Sequence, residues 1–165
     1  MGAGVAGVLF LVAGLSEAVA LLFDMIAVSS NVWHSGLIHY RGKTQPGTMG
    51  LWKVCTSIGS CGDIESDDVT SWLNACRAFG ILSILGITAG LALTAGARLS
   101  GDQKFFGLVA FIGAIAAGLL VLLPIVVYSS EVGSVEYGYS FVLMVMAFIL
   151  CVAAAVLLFI GRILA

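Results

Sequence analysis

Four stretches of the chain, residues 5–29, 75–97, 105–128 and 139–161, are almost continuously apolar. An α-helix rises about 1.5 Å per residue and the hydrocarbon of a bilayer is about 30 Å thick, so about 20 such residues cross it. Each run is long enough. Only 10% of the 165 residues are charged, against about a quarter in soluble domains, and a soluble core could not absorb this much apolar length. The expected fold is therefore a mainly α membrane protein, one unit over residues 1–165 with four transmembrane helices. The first run has no positively charged segment ahead of it and is longer than the apolar core of a cleavable signal peptide, so it reads as a retained anchor.

Lysine and arginine set the orientation. Arg98 and Lys104 bracket the short link between the second and third runs, and Arg162 follows the fourth. Cationic residues in short loops stay cytoplasmic, which puts both termini inside and the connections 30–74 and 129–138 outside the cell or in a lumen continuous with it; the plasma membrane is the expected location. Arg41, Lys43 and Lys53 in the long connection oppose this assignment, but Asp63, Glu65, Asp67 and Asp68 lie in the same segment.

The stretch GLWKVCTSIGSC, residues 50–61, holds the only cysteines outside the apolar runs, Cys55 and Cys61. Outside the cell a bond between them is the simple reading. It closes a small loop and would stabilise by about 2 to 3 kcal/mol. His34 and His39 lie upstream, but neither C-x-x-C nor H-x-x-x-H spacing is present, so no metal site is expected. Around the cysteines, NVWHSGLIHY and TMGLWKV are rich in aromatic and branched residues and predict short strands, with a turn across residues 42–47 that includes Pro46. A small antiparallel sheet should form outside the membrane, and SSEVGSVEYG could add an edge strand.

Within the apolar runs, Glu17 and Asp24 stand out. Seven residues apart, they share nearly one helix face, and ionisable groups inside a membrane span are costly enough to be functional candidates. Arg77 at the outer start of the second helix could hydrogen-bond loop carbonyls or pair with Asp24, and Glu17 could bond Ser83 or Thr88 or be protonated. Gly86/Gly90, Ala92/Gly96, Ala110/Ala114 and Ala114/Gly118 form small-residue faces expected to let helices approach closely inside the bundle. Pro124 should kink the third helix.

Trp33, then Gly50, Leu51 and Trp52, then Cys55 and Cys61, then Arg77 resemble the W…GLW…C…C…R pattern of the claudin and peripheral myelin protein superfamily, across the whole four-span topology. YGYSFVL at the start of the fourth run is similar to the epithelial membrane protein branch. The resemblance implies a claudin-like four-helix bundle with its tryptophans seating the external sheet. The spacing between the cysteines is shorter than in most claudins, and the sequence ends four residues after Gly161 without the PDZ-binding residues that close many of them.

No nucleophile motif, phosphate loop or basic patch is present, so neither enzyme nor nucleic-acid binder is expected, and no cofactor. The resemblance implies a protein of cell–cell contact or a paracellular barrier that meets a copy of itself in cis or trans. The alternative is an auxiliary subunit docking on an ion channel or receptor. The basic residues before Cys55 and the acidic group Asp63, Glu65, Asp67 and Asp68 after Cys61 form a charge step suited to a partner face or to cation selection.

Overall fold

The computed structural model describes residues 2–40, 43–64, 69–100, 102–133 and 136–165. The elements are α1 (Gly2–Ser29), β1 (His34–Tyr40), β2 (Lys43–Met49), β3 (Lys53–Thr56), β4 (Cys61–Asp63), α2 (Ser71–Leu99), α3 (Gln103–Val132), β5 (Glu136–Tyr137) and α4 (Tyr139–Leu164). All four helices are long and apolar enough to span a membrane. Each outruns the hydrophobic stretch that marks it in the sequence. α3, with 30 residues, is about 45 Å long and projects beyond the hydrocarbon, so that Tyr128 reaches the sheet.

The bundle is arranged for lipid. Between 28 and 33% of each spanning window is buried, and leucine, isoleucine, valine and phenylalanine dominate the outward faces. The inside is made of smaller residues. Towards the end that carries both termini, the core is Ala6, Phe10, Ala13, Ala97, Ala110, Ala114, Ala154, Ala155 and Leu158. In a solvent as apolar as leucine, close backbone approach replaces hydrophobic drive. A methyl on Gly86 would lie 3.6 Å from Ala117 Cα, and one on Gly118 would lie 3.6 Å from Cys151 Cβ, which marks the α2–α3 and α3–α4 contacts. Ala92 and Gly96 depart from the expectation: both are exposed and Gly96 faces open space. That pair belongs to the outer surface, because its rotational phase on α2 differs from that of Gly86 and Gly90.

At the other end the five strands form one sheet in the order β4-β3-β2-β1-β5. Every pairing is antiparallel. The connection between α3 and α4 does supply an edge strand, with Ser35 opposite Glu136 and His34 opposite Tyr137. The expected turn at residues 42–47 is corrected: residues 43–49 are strand, and Pro46 pairs opposite Leu37. Pro46 is tolerated because of where its missing donor would point. Its carbonyl accepts from Ser57 N on the β3 side, its nitrogen faces the same side, and the regular β2–β3 ladder begins one residue later at Gly47. Ile38 and Val54 are buried on one face against Met49 and Ile64, while Leu37 on the opposite face is 77% exposed.

Cys55 and Cys61 sit directly opposite each other in β3 and β4, with Cα atoms 4.1 Å apart, and are disulfide-bonded. Cys76 and Cys151 are free and buried. Alkylation of the denatured, unreduced protein should therefore label Cys76 and Cys151 alone in a peptide mass map. Replacing Cys55 with serine should lower stability by about 2 to 3 kcal/mol in a detergent melt.

Candidate functional site

The last turn of α1 has backbone carbonyls with no partner inside the helix. Two tryptophans supply the donors. Trp33 Nε1 donates to Ala27 O at 2.7 Å and Trp52 Nε1 donates to Val28 O at 2.9 Å. Trp33 is fully buried. Its ring lies 4.7 Å from that of Tyr128 and 6.1 Å from that of Phe141, so α1, α3 and α4 meet around one indole. Trp52 is 37% exposed, and the Arg77 guanidinium lies over its ring at 4.9 Å. Between them, Gly50 passes so close to the segment just after α1 that a Cβ there would fall 2.4 Å from Asn31 Cα. No other residue fits. Leu51 is buried, and its carbonyl accepts from Arg77 Nε at 2.7 Å.

Arg77 is thus tied to the loop through Leu51 and Trp52, and Asp24 lies elsewhere. Asp24 Oδ2 is 2.7 Å from Ser83 Oγ, and Ser83 lies six residues, about 9 Å, further along α2 than Arg77. The same antiparallel register explains Glu17. Seven residues along α1 from Asp24 corresponds to seven along α2 from Ser83, which is Gly90, and a Cβ on Gly90 would lie 3.3 Å from Glu17 Oε1. Ser83 is therefore engaged at the level of Asp24, and Thr88 turns its hydroxyl back to Ile84 O at 2.7 Å. Thr94 is the hydroxyl that α2 presents to Glu17. Glu17 and Thr94 are 1% and 2% exposed.

His34, whose spacing from His39 gives no motif, proves to be part of the mount. Its Nδ1 is 2.7 Å from Tyr128 Oη, joining residues 94 positions apart. No local pattern could have shown this. Burial holds the His34 imidazole below its ordinary value of 6.5.

The charge step is partly folded back on itself. The β3–β4 hairpin places exposed Lys53 opposite exposed Asp63, whereas Lys43 lies at the far end of β2. Arg41, Glu65, Asp67 and Asp68 are outside the described residues. Among the described residues no group of three or more His, Cys, Asp or Glu could hold a metal ion. The arrangement is suited to presenting a rigid surface.

A bundle of four spanning helices carrying a disulfide-locked sheet on tryptophan and arginine mounts defines a tetraspan membrane protein. The chain belongs to the PMP-22/EMP/MP20/Claudin family, whose model matches residues 5–158. No individual curated protein matches it.

Two outcomes follow from the mount. Arg77→Ala should cost about 1 to 3 kcal/mol through the lost Leu51 bond. Combined with Asp24→Asn in a thermal cycle, it should be additive to within about 0.5 kcal/mol, since the two residues share no partner. His34, depressed in the folded state, takes up a proton more readily when unfolded. Stability should therefore fall as pH drops through the ordinary value of 6.5. His34→Gln keeps a hydrogen-bonding group for Tyr128 without titrating, and should flatten that part of the melting-temperature profile.

Proposed function

We propose that this chain is a non-enzymatic protein of cell–cell contact or a paracellular barrier, acting at the plasma membrane by presenting its sheet to a copy of itself in cis or trans. The observation that carries the reading is the outward apolar display. Leu37 on β1 and Ile58 in the β3–β4 turn are 77% and 81% exposed, on a sheet fixed to the bundle rather than on free loops. Large aliphatic side chains that protrude from a rigid surface favour burial against a partner. Arg98, Lys104 and Arg162 fall in terminal turns at the bundle end opposite the sheet, which favours that end, and both termini, as cytoplasmic. The acidic group Asp63, Glu65, Asp67 and Asp68 would give a shared pathway a preference for cations.

A second reading, an auxiliary subunit of an ion channel or receptor, is favoured by a different surface. Between α3 and α4 lies a groove of about 470 Å³ lined by Phe111, Ala114, Gly118, Phe148, Cys151 and Phe159. Its small-residue floor suits an apolar helix of another membrane protein.

Expression in cells that do not adhere to one another separates the two. The contact reading expects aggregation that Leu37→Ser with Ile58→Ser abolishes. In epithelial layers it expects a cation preference that falls when Asp63, Glu65, Asp67 and Asp68 are neutralised. If adhesion, resistance and ion preference all stay at the level of untransfected cells, the contact role is overturned and the subunit reading leads.

A further inference from the structure

The bundle interior holds four oxygen atoms that no group among the described residues satisfies: both carboxyl oxygens of Glu17, Asp24 Oδ1 and Thr94 Oγ1. All belong to side chains at most 2% exposed, within the spanning helices α1 and α2. Leaving buried polar atoms unmet costs about 1 to 3 kcal/mol each, and an unpaired carboxylate costs far more. Such a charge has to be balanced or removed.

Among the described residues no cation is seated against either carboxyl: Arg98, one turn beyond Thr94 on α2, is exposed, outside the buried interior. α2 faces the two carboxyls with hydroxyls, Ser83 and Thr94, and with Gly90. α4 contributes the Cys151 thiol. α3 has no titratable group between Lys104 near its start and Tyr128 near its end. Arg77 is engaged with Leu51 and Trp52. The carboxyls are two turns apart on α1, about 10 Å along the axis, so neither shares the other's site.

Ser83 reports on the state of Asp24. Its oxygen lies 2.7 Å from Asp24 Oδ2 and 2.8 Å from Gly80 O, but a hydroxyl has one proton and can donate only once. With Asp24 ionised, two acceptors compete for that proton. With Asp24 as a carboxylic acid, Oδ2–H donates to Ser83 Oγ and Ser83 donates to Gly80 O, so both short contacts become hydrogen bonds. At Glu17 the same chemistry gives Thr94 Oγ1 a donor to accept from and leaves its own hydroxyl proton for a second acceptor.

We propose that Glu17 and Asp24 are proton-binding sites of the bundle interior, each occupied when α1 packs on α2, so that packing of this seam and uptake of a proton at each carboxyl are one event. Each site takes a proton from water onto a carboxylate oxygen and gives a neutral acid. The adjoining hydroxyl, Thr94 for Glu17 and Ser83 for Asp24, is a positioning residue whose oxygen accepts a hydrogen bond from that acid O–H. Ionisation of either carboxyl would place an unbalanced charge between closely packed helices and part them.

Infrared difference spectroscopy of the full chain in lipid reads this directly, because the carbonyl stretch of a carboxylic acid is well separated from the carboxylate stretches. At neutral pH the difference between the protein and Glu17→Gln should show the loss of one acid band, and Asp24→Asn the loss of another. Thr94→Val and Ser83→Ala should keep the acid bands and move the corresponding one to the position of a less hydrogen-bonded acid. Those two changes also guard against a carboxyl variant that fails to fold. Carboxylate bands in place of either acid band overturn the assignment for that residue. Carboxylate bands that shift when sodium replaces choline would overturn it in favour of a bound metal ion.

Discussion

The half of this protein that carries the sheet depends on how one helix ends. α1 stops at Ser29 with carbonyls that water would satisfy in an isolated helix; here two indole N–H groups take Ala27 O and Val28 O. The tryptophans leave the chain on either side of the first hairpin, so capping the helix fixes the sheet. Everything else about the mount serves that arrangement. Gly50 lets the loop lie against Asn31, Arg77 holds Leu51 O from α2, and Tyr128 and Phe141 close around Trp33 from α3 and α4. A sheet with so small a core of its own, Ile38 and Val54 with Met49 and Ile64 beside them, gains its rigidity from the bundle.

The helices and the disulfide were legible in the sequence because the signals are local: apolar length in one case, two cysteines outside apolar runs in the other. The family pattern was legible too, since Trp33, Gly50, Leu51, Trp52 and Arg77 each answer a steric or hydrogen-bonding demand of the same joint. What escaped is what depends on register between distant elements. Pro46 and Gly47 read as a turn by composition, but seven paired positions between β1 and β2 outweigh two turn-forming residues. The partners of Glu17 and Asp24 follow only once α1 and α2 are aligned, and the His34–Tyr128 contact only once β1 is laid on α3. The outward phase of Ala92 and Gly96 is likewise set by how α2 is rotated, which small residues alone do not encode.

The bundle divides its polar groups by function of place. At the sheet end they link elements: Ser30, just after α1, with Ser140 of α4, His34 with Tyr128, Arg77 with Leu51. At mid-depth they are carboxyls and hydroxyls along the α1–α2 seam. Near the termini the interior is almost wholly alanine, and nothing polar is needed because close contact itself holds the helices. The same chain therefore solves helix association in three ways along its length.

Only Gly138 separates β5 from α4. Its N–H donates to Trp33 O, and the N–H of Ser140, in the first turn of α4, donates to Val32 O, so strand and helix are joined without slack. Spanning helices adjust their tilt to the thickness of the lipid around them. With Gly138 alone between β5 and α4, leaning α4 moves the β5 edge of the sheet with it. The tilt of α4 and the position of the β5 edge of the sheet are therefore one variable rather than two.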